Sequence, residues 1–257
     1  MDDVVFWRVD EVDSGSTVTT GPSWSFTAAA APAGNNRWNG GGYPDVSWDN
    51  GDNWDRGFAP RAIDVAHIKT ADANDPIIDS SIDALCSILL MGNGTPDTLT
   101  MTGGSLTTCG TANAKLGDGA NSTIVINQSG GVMTFADGDT LMPNSSGSFT
   151  LNLSGGTFIN TDAGHSIKTS INGSGTAYLN ISDGNFTSAG EMLIGDDGPT
   201  YVEQTGGAVT ATAKLVMDRK NLSNGTMYNL KGGTLYAGDN GCVKSKQKST
   251  NSGNKCN

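Results

Sequence analysis

The side chains best suited to acid–base chemistry are Asp118, Asp137, Asp139, Asp162, Asp196 and Asp197, with Lys115, Lys168 and His165 near them in sequence. Cleaving a polysaccharide takes carboxylates that converge with a base, or that face each other across a glycosidic bond. Most of these aspartates stand next to glycine, as in Gly117-Asp118-Gly119 and Gly195-Asp196-Asp197-Gly198. In such contexts an aspartate bonds the backbone of its own turn and tolerates left-handed geometry. The pattern therefore predicts structural turns, with no catalytic residue assigned and no enzyme expected. Oxygen-rich turns also suit calcium, but neither an Asp-x-Asp-x-Asp loop nor a nonapeptide calcium repeat occurs. Zinc needs close ligand pairs, and only His67 and His165 are available to join the cysteines, so no metal or cofactor is expected.

Two further kinds of side chain invite covalent chemistry. Cys86, Cys109, Cys242 and Cys256 form an even set without Cys-x-x-Cys spacing. That predicts two disulfides in an oxidising compartment, Cys86–Cys109 between neighbouring repeats and Cys242–Cys256 tying back the C-terminus. Asn-x-Ser/Thr sequons occur at Asn93, Asn121, Asn127, Asn144, Asn152, Asn172, Asn180, Asn185, Asn221 and Asn224. Asn127, Asn152 and Asn180 share one position in successive repeats and are expected to face solvent. There they are open to glycan attachment, or they form an outward ladder of amides.

What positions these residues is a repeat. A diglycine or its equivalent recurs at Gly103-Gly104, Gly130-Gly131, Gly155-Gly156, Asp183-Gly184, Gly206-Gly207 and Gly232-Gly233, at intervals of 27, 25, 28, 23 and 26 residues. Ahead of it the chain alternates, as in Leu99-Thr100-Met101, Leu151-Asn152-Leu153 and Tyr228-Asn229-Leu230. Two residues after it stand Leu106, Met133, Phe158, Phe186, Val209 and Leu235, and a later apolar patch contains Leu116, Leu141, Ile167, Leu193, Leu215 and Val243. Period-two alternation marks strands, and no amphipathic helix intervenes. One repeat cannot bury its apolar face alone, whereas stacked copies close a continuous core. The expected fold is all-β: a parallel β-solenoid of about seven coils, each rising by the interstrand spacing of about 4.8 Å. Propeller blades of about 40 residues do not fit this period.

Composition agrees. With 36 Gly, 24 Ser, 28 Thr and 23 Asn, the chain is a poor helix former, while a hydrophobic fraction of 36% supplies a core. The formal charge of −11 argues against nucleic acid as a partner. Charge is also uneven: residues 1–83 hold 14 acidic and 5 basic side chains, residues 84–213 hold 10 and 2, and residues 214–257 hold 2 and 8. Opposite signs at the two ends steer head-to-tail contacts between copies, unless the basic tail is simply solvated. No apolar run reaches the roughly 18 residues of a membrane span. The first residues lack the basic and apolar regions of an export signal, which is expected if a leader was removed or if the chain is a fragment of a longer one.

Residues 1–27 fall outside the repeat. Val5-Phe6-Trp7-Arg8-Val9-Asp10-Glu11-Val12 and Ser23-Trp24-Ser25-Phe26-Thr27 read as two strands and resemble the last hairpin of a fibronectin type III module from large bacterial surface proteins. An isolated hairpin is marginal in water. Val5, Phe6, Trp7, Val9, Trp24 and Phe26 are therefore expected to cap the solenoid or to join the edge of a neighbouring copy, with Lys244, Lys246 and Lys248 as the other assembly residues. Trp38, Trp48 and Trp54, followed by Pro60-Arg61-Ala62-Ile63-Asp64-Val65-Ala66-His67-Ile68, resemble the opening segment of exported bacterial β-helix proteins with autotransporter-like repeats. So does Leu151-Asn152-Leu153-Ser154-Gly155-Gly156-Thr157. The resemblance implies export and a Trp-rich cap; the alternative for the three tryptophans is a sugar-binding face. The expected organisation is a hairpin and linker at 1–34, a cap at 35–79, the solenoid at 80–243 and a basic tail at 244–257. The expected function is a non-enzymatic structural protein, extracellular or on the cell surface, that self-associates head to tail in a layer or filament. The alternatives are a carbohydrate-binding or polysaccharide-cleaving β-helix module, with glycans as partners, and a passive stalk of a larger adhesin.

Overall fold

In the computed structural model, which describes residues 3–28, 31–69, 74–220, 225–238 and 242–244, the chain forms two compact units, Met1–Ala33 and Gly34–Asn257. The second unit is a parallel β-solenoid of about seven coils. Equivalent strands of successive coils stack into three columns. The first column begins at Ile77–Ile78 and Pro96–Met101 and ends at Thr200–Gln204 and Met227–Leu230. The second runs from Asp83–Cys86 to Thr234–Tyr236. Ser148–Asn160 and Thr176–Ser188, each 13 residues long, run unbroken around the glycine corner and join these two columns in one 12-stranded sheet. The third column is a separate nine-stranded sheet from Asn35–Arg37 to Cys242–Lys244.

Register follows the repeat residue for residue. Leu99, Ile126, Leu151, Leu179, Val202 and Tyr228 pair in succession, as do Leu106, Met133, Phe158, Phe186, Val209 and Leu235. Alternation then sorts the faces: in Thr200–Gln204, Thr200, Val202 and Gln204 are buried while Tyr201 and Glu203 look outward. Phe135, Phe158 and Phe186 stack through the core with ring centroids 5.0 and 5.4 Å apart, a separation typical of favourable aromatic pairs. Where the interior holds amides, they bond corner carbonyls: Gln128 Nε2 donates to Thr157 O at 2.9 Å, and Gln204 Nε2 to Thr234 O at 2.9 Å.

The corner glycines answer two demands at once. Gly131, Gly156, Gly184 and Gly207 hold φ of +71°, +77°, +80° and +64°. A Cβ on Gly156 would also lie 2.4 Å from the carbonyl oxygen of Gly131 in the preceding coil. Left-handed backbone and close stacking both exclude a side chain there.

The tryptophan segment is the first turn of the solenoid rather than a domain of its own. Asn35–Arg37 and Val65–Ile68 open the third column, and Trp38, Trp48 and Trp54 are buried in the same apolar core as the coils. Trp38 and Trp48 meet Trp54 edge-on, with centroids 5.2 and 4.8 Å apart. Burial to 1–2% exposure leaves no face of these three rings open to a sugar. The first unit contains Asp3–Arg8 paired antiparallel with Ser23–Ala28, and an inner pair, Glu11–Val12 with Val18–Thr19. No helix among the described residues is long and apolar enough to cross a membrane.

The expected Cys86–Cys109 disulfide is absent, and both thiols are free. The spacing of 23 residues misses the register by one: Cys86 pairs with Thr108 in the second column, an offset of 22, whereas Met91 pairs with Leu116 in the third, an offset of 25. The extra residues sit in the corner after Cys109. Cys86 and Thr108 therefore point inward, and Cys109, one position on, is exposed. Burial, and secondarily the neighbouring Cys109, pushes the Cys86 thiol well above its ordinary pKa. Thiolate is the reactive form, so iodoacetamide should modify Cys109 in the native protein and Cys86 only after denaturation. A Cys86–Cys109 peptide in a non-reducing digest would restore the discarded pairing. Cys256, the partner expected for Cys242, lies outside the described residues.

Candidate functional site

Five of the six aspartates singled out by sequence are ion-paired, and the adjacent Asp196 and Asp197 share Lys220. Asp118 meets Lys69 and Lys115 at 3.3 and 3.5 Å. Asp139 pairs with Lys168 and accepts from the Ser166 backbone at 2.8 Å. Asp162 accepts from the Gly164 backbone and lies 2.6 Å from His165 Nδ1, and these bonds hold its carboxyl below the usual range. Asp196 is fully buried under Arg219, whose Nε and Nη2 both reach it at 2.7 Å, and Asp197 takes Lys220 at 2.8 Å. Asp137 is exposed at the turn before Asp139. The arrangement neutralises carboxylates along the corners of the coil and links one coil to the next. No cluster of three or more His, Cys, Asp or Glu side chains placed to hold a metal occurs among the described residues.

Outward asparagines form two polarised ladders. Asn152 Nδ2 donates to Asn127 Oδ1 at 2.8 Å and Asn180 Nδ2 to Asn152 Oδ1 at 2.9 Å. At another corner Asn172 Nδ2 donates to Asn144 Oδ1, and Asn144 Nδ2 to Asp118 Oδ1, both at 2.9 Å. Every rung donates towards the preceding coil. Of the sequon asparagines, Asn93, Asn121, Asn172, Asn180 and Asn185 are exposed, and Asn127, Asn144 and Asn152 are half-buried. Asn221 and Asn224 lie outside the described residues. A glycan is attached through Nδ2, so at Asn144, Asn152, Asn172 or Asn180 it would take the nitrogen that makes the rung.

Beside the first ladder, between Asn152, Asn180, Glu203 and the serine–threonine column Ser154, Ser182, Thr205, lies an open groove of about 190 Å³. Tyr178 and Tyr201 stand two residues before Asn180 and Glu203 on the same outward face, their rings stacked 5.5 Å apart and 20° from parallel. Sequence reasoning passed over both tyrosines and Glu203.

The two ends of the solenoid differ. At the N-terminal end the tryptophan turn closes the core and displays Asp45, Asp49, Asp52 and Asp55, all exposed. At the C-terminal end the last described coil is only partly covered. Leu230 occupies the inward position that Gln204 fills one coil earlier, yet it is 49% exposed where Gln204 is 0%. Tyr228 and Leu235 are half-buried at positions where Val202 and Val209 are buried, and Met227 and Tyr236 are exposed on the rim. No described strand pairs with the far edges of Met227–Leu230, Thr234–Tyr236 or Cys242–Lys244.

The basic excess of the C-terminal region is partly consumed inside the molecule. Lys214 pairs with Glu191, Arg219 with Asp196, Lys220 with Asp197 and Lys231 with Glu203, each reaching back one coil. Lys246 and Lys248 lie outside the described residues, and of Lys244 the structure describes the strand position alone. In the first unit Trp7 and Trp24 face each other across the hairpin, rings 4.8 Å apart, and with Val9 they are largely exposed. Val5, Phe6 and Phe26 lie on the same two strands. Compared with known proteins, the chain matches no family model, no curated protein and no solved structure.

Proposed function

We propose that the chain is a non-enzymatic structural protein of the cell exterior whose copies associate head to tail, in a surface layer or filament. One observation carries this reading: among the described residues the last coil leaves inward apolar residues partly exposed and three strand edges unpaired, while the opposite end of the core is lined by buried tryptophan. An uncovered edge is a template for further pairing, and a contact between unlike ends repeats without closing. The proposed occupant is a second copy, which brings either its hairpin, with Trp7 and Trp24, or the carboxylates of its cap. The motifs shared with exported bacterial β-helix proteins support a place outside the cytoplasm.

Covering half-exposed side chains such as Leu230 and Tyr228 contributes on the order of 1 kcal/mol each, so most of the affinity must come from edge pairing and charge. Charge attraction between exposed groups weakens with salt. In sedimentation velocity the protein is expected to grow in mass with concentration, more so at low ionic strength. Leu230→Asp should return it to single copies with little change in its melting temperature, because the side chain is already half in water. A wild-type chain that sediments as one species throughout, or a Leu230→Asp variant that assembles as before, contradicts the proposal.

A further inference from the structure

The first amide ladder stops at a mismatch. Each asparagine in it accepts from the coil that follows, but the residue following Asn180 in the column is Glu203, which at neutral pH has no proton to give. Glu203 itself accepts from Asn229 Nδ2 at 2.7 Å and from Lys231, and these bonds, Lys231 foremost, hold its carboxyl below the usual range. Asn180 Oδ1 accepts no hydrogen bond from any described side chain. Two acceptors are therefore neighbours in the column, and both Asn180 and Glu203 line the open groove.

We propose that this groove binds a neutral, hydroxyl-rich glycan. Two neighbouring hydroxyls on one sugar ring can donate one proton to Asn180 Oδ1 and the other to the Glu203 carboxylate, and can accept in turn through their own oxygens. Ser154, Ser182 and Thr205 supply further hydroxyls on the other wall. The rungs from Asn152 to Glu203 span two interstrand spacings, about 10 Å, which accommodates two linked sugar rings. Tyr178 and Tyr201, one alternation step away on the same face, offer apolar ring surface for the C–H faces of a sugar. The glutamate is already neutralised by Lys231, which favours an uncharged ligand over a metal cation. The groove also lies at the irregularity where Ser148–Asn160 and Thr176–Ser188 lose register, between Leu153 and Thr157, and such bulges re-aim side chains at binding sites.

The test is a titration of the full, isotopically labelled chain with cellobiose, maltose and N,N′-diacetylchitobiose, read on the side-chain amides of Asn152 and Asn180 by NMR. At least one sugar should shift these resonances with a Kd in the millimolar range, appropriate to an open groove. Tyr201→Ala should weaken binding at least threefold. Glu203→Asn should abolish it while leaving the melting temperature unchanged or raised, because the new amide can donate to Asn180 Oδ1 and complete the ladder. Silence from all three sugars at tens of millimolar overturns the proposal. So does a shift of the same amides by calcium chloride alone, or a Glu203→Asn variant that binds sugar as the wild type does.

Discussion

Gly156→Ala is expected to destabilise the solenoid by about 2–5 kcal/mol. A left-handed residue with a Cβ costs about 1–2 kcal/mol, and forcing atoms into a packed interior adds about 1–3 kcal/mol. Both apply here: φ is +77°, and the added carbon would meet Gly131 O at 2.4 Å and the carbonyl carbon of Gly130 at 2.6 Å. Those neighbours are backbone atoms of the preceding coil, so relief requires the coils to part. Gly57 is the control. Its φ is +72°, but nothing lies within 4 Å of the position its Cβ would take, so Gly57→Ala should cost only the conformational part, about 1–2 kcal/mol. Urea unfolding of the two variants separates the terms, and equal losses would show that coil contact at the glycine corner plays no part.

The second large effect is expected at the cap. Asp64 is fully buried and accepts from Arg56 Nη1 at 2.6 Å, Arg61 Nε at 2.7 Å and the Gly34 backbone at 3.1 Å. Both guanidinium groups also stand 4.9 Å from the centre of the Phe58 ring. One carboxylate thus ties together the first residue of the solenoid unit and the loop that carries Arg56 and Arg61. Removing one partner of a buried ion pair costs about 3–5 kcal/mol; since the arginines retain some water contact, Asp64→Asn should cost about 3 kcal/mol at pH 7. Burial alone would raise the pKa of Asp64, but the bonds from Arg61 and the backbone outweigh it and hold the carboxyl below its ordinary value. A group depressed in the folded state contributes stability above its unfolded pKa, about 3.9, and loses it as pH falls through the folded value. The advantage of wild type over Asp64→Asn should therefore be constant from pH 7 to about pH 5 and shrink below about pH 4. An advantage that grows on acidification would contradict the assignment.

Much of the solenoid could be read from spacing because stacking makes equivalent positions recur. The intervals that align the glycine pairs are the same offsets that pair Leu99, Ile126, Leu151, Leu179, Val202 and Tyr228 in space. Cys86 and Cys109 were misplaced because coil length is not shared evenly among corners: a single interval cannot describe a turn that is 22 residues in one column and 25 in the next. In the same way, Asn35–Arg37 is too short and polar to announce itself as a strand, and only its pairing with Val65–Ile68 makes it one. Net charge overstated the contrast between the two ends, because Lys214, Arg219, Lys220 and Lys231 are matched to acids one coil back.

The candidate sites were less legible. Tyr178 and Tyr201 precede Leu179 and Val202, so the alignment already superposed them. What it lacked was the direction of each amide in the ladder, which alone shows that the run of donors fails at Glu203. The partly exposed last described coil is likewise a property of burial, since Tyr228 and Leu235 repeat the apolar pattern of Val202 and Val209 and differ in having no described strand paired beyond them.

Imaging the protein by negative-stain electron microscopy, across a dilution series at low and high salt, tests end-to-end association most directly. Rods that lengthen with concentration, shorten in salt and repeat along their axis once per copy are the predicted result. Uniform single particles at every concentration and ionic strength are the contrary one.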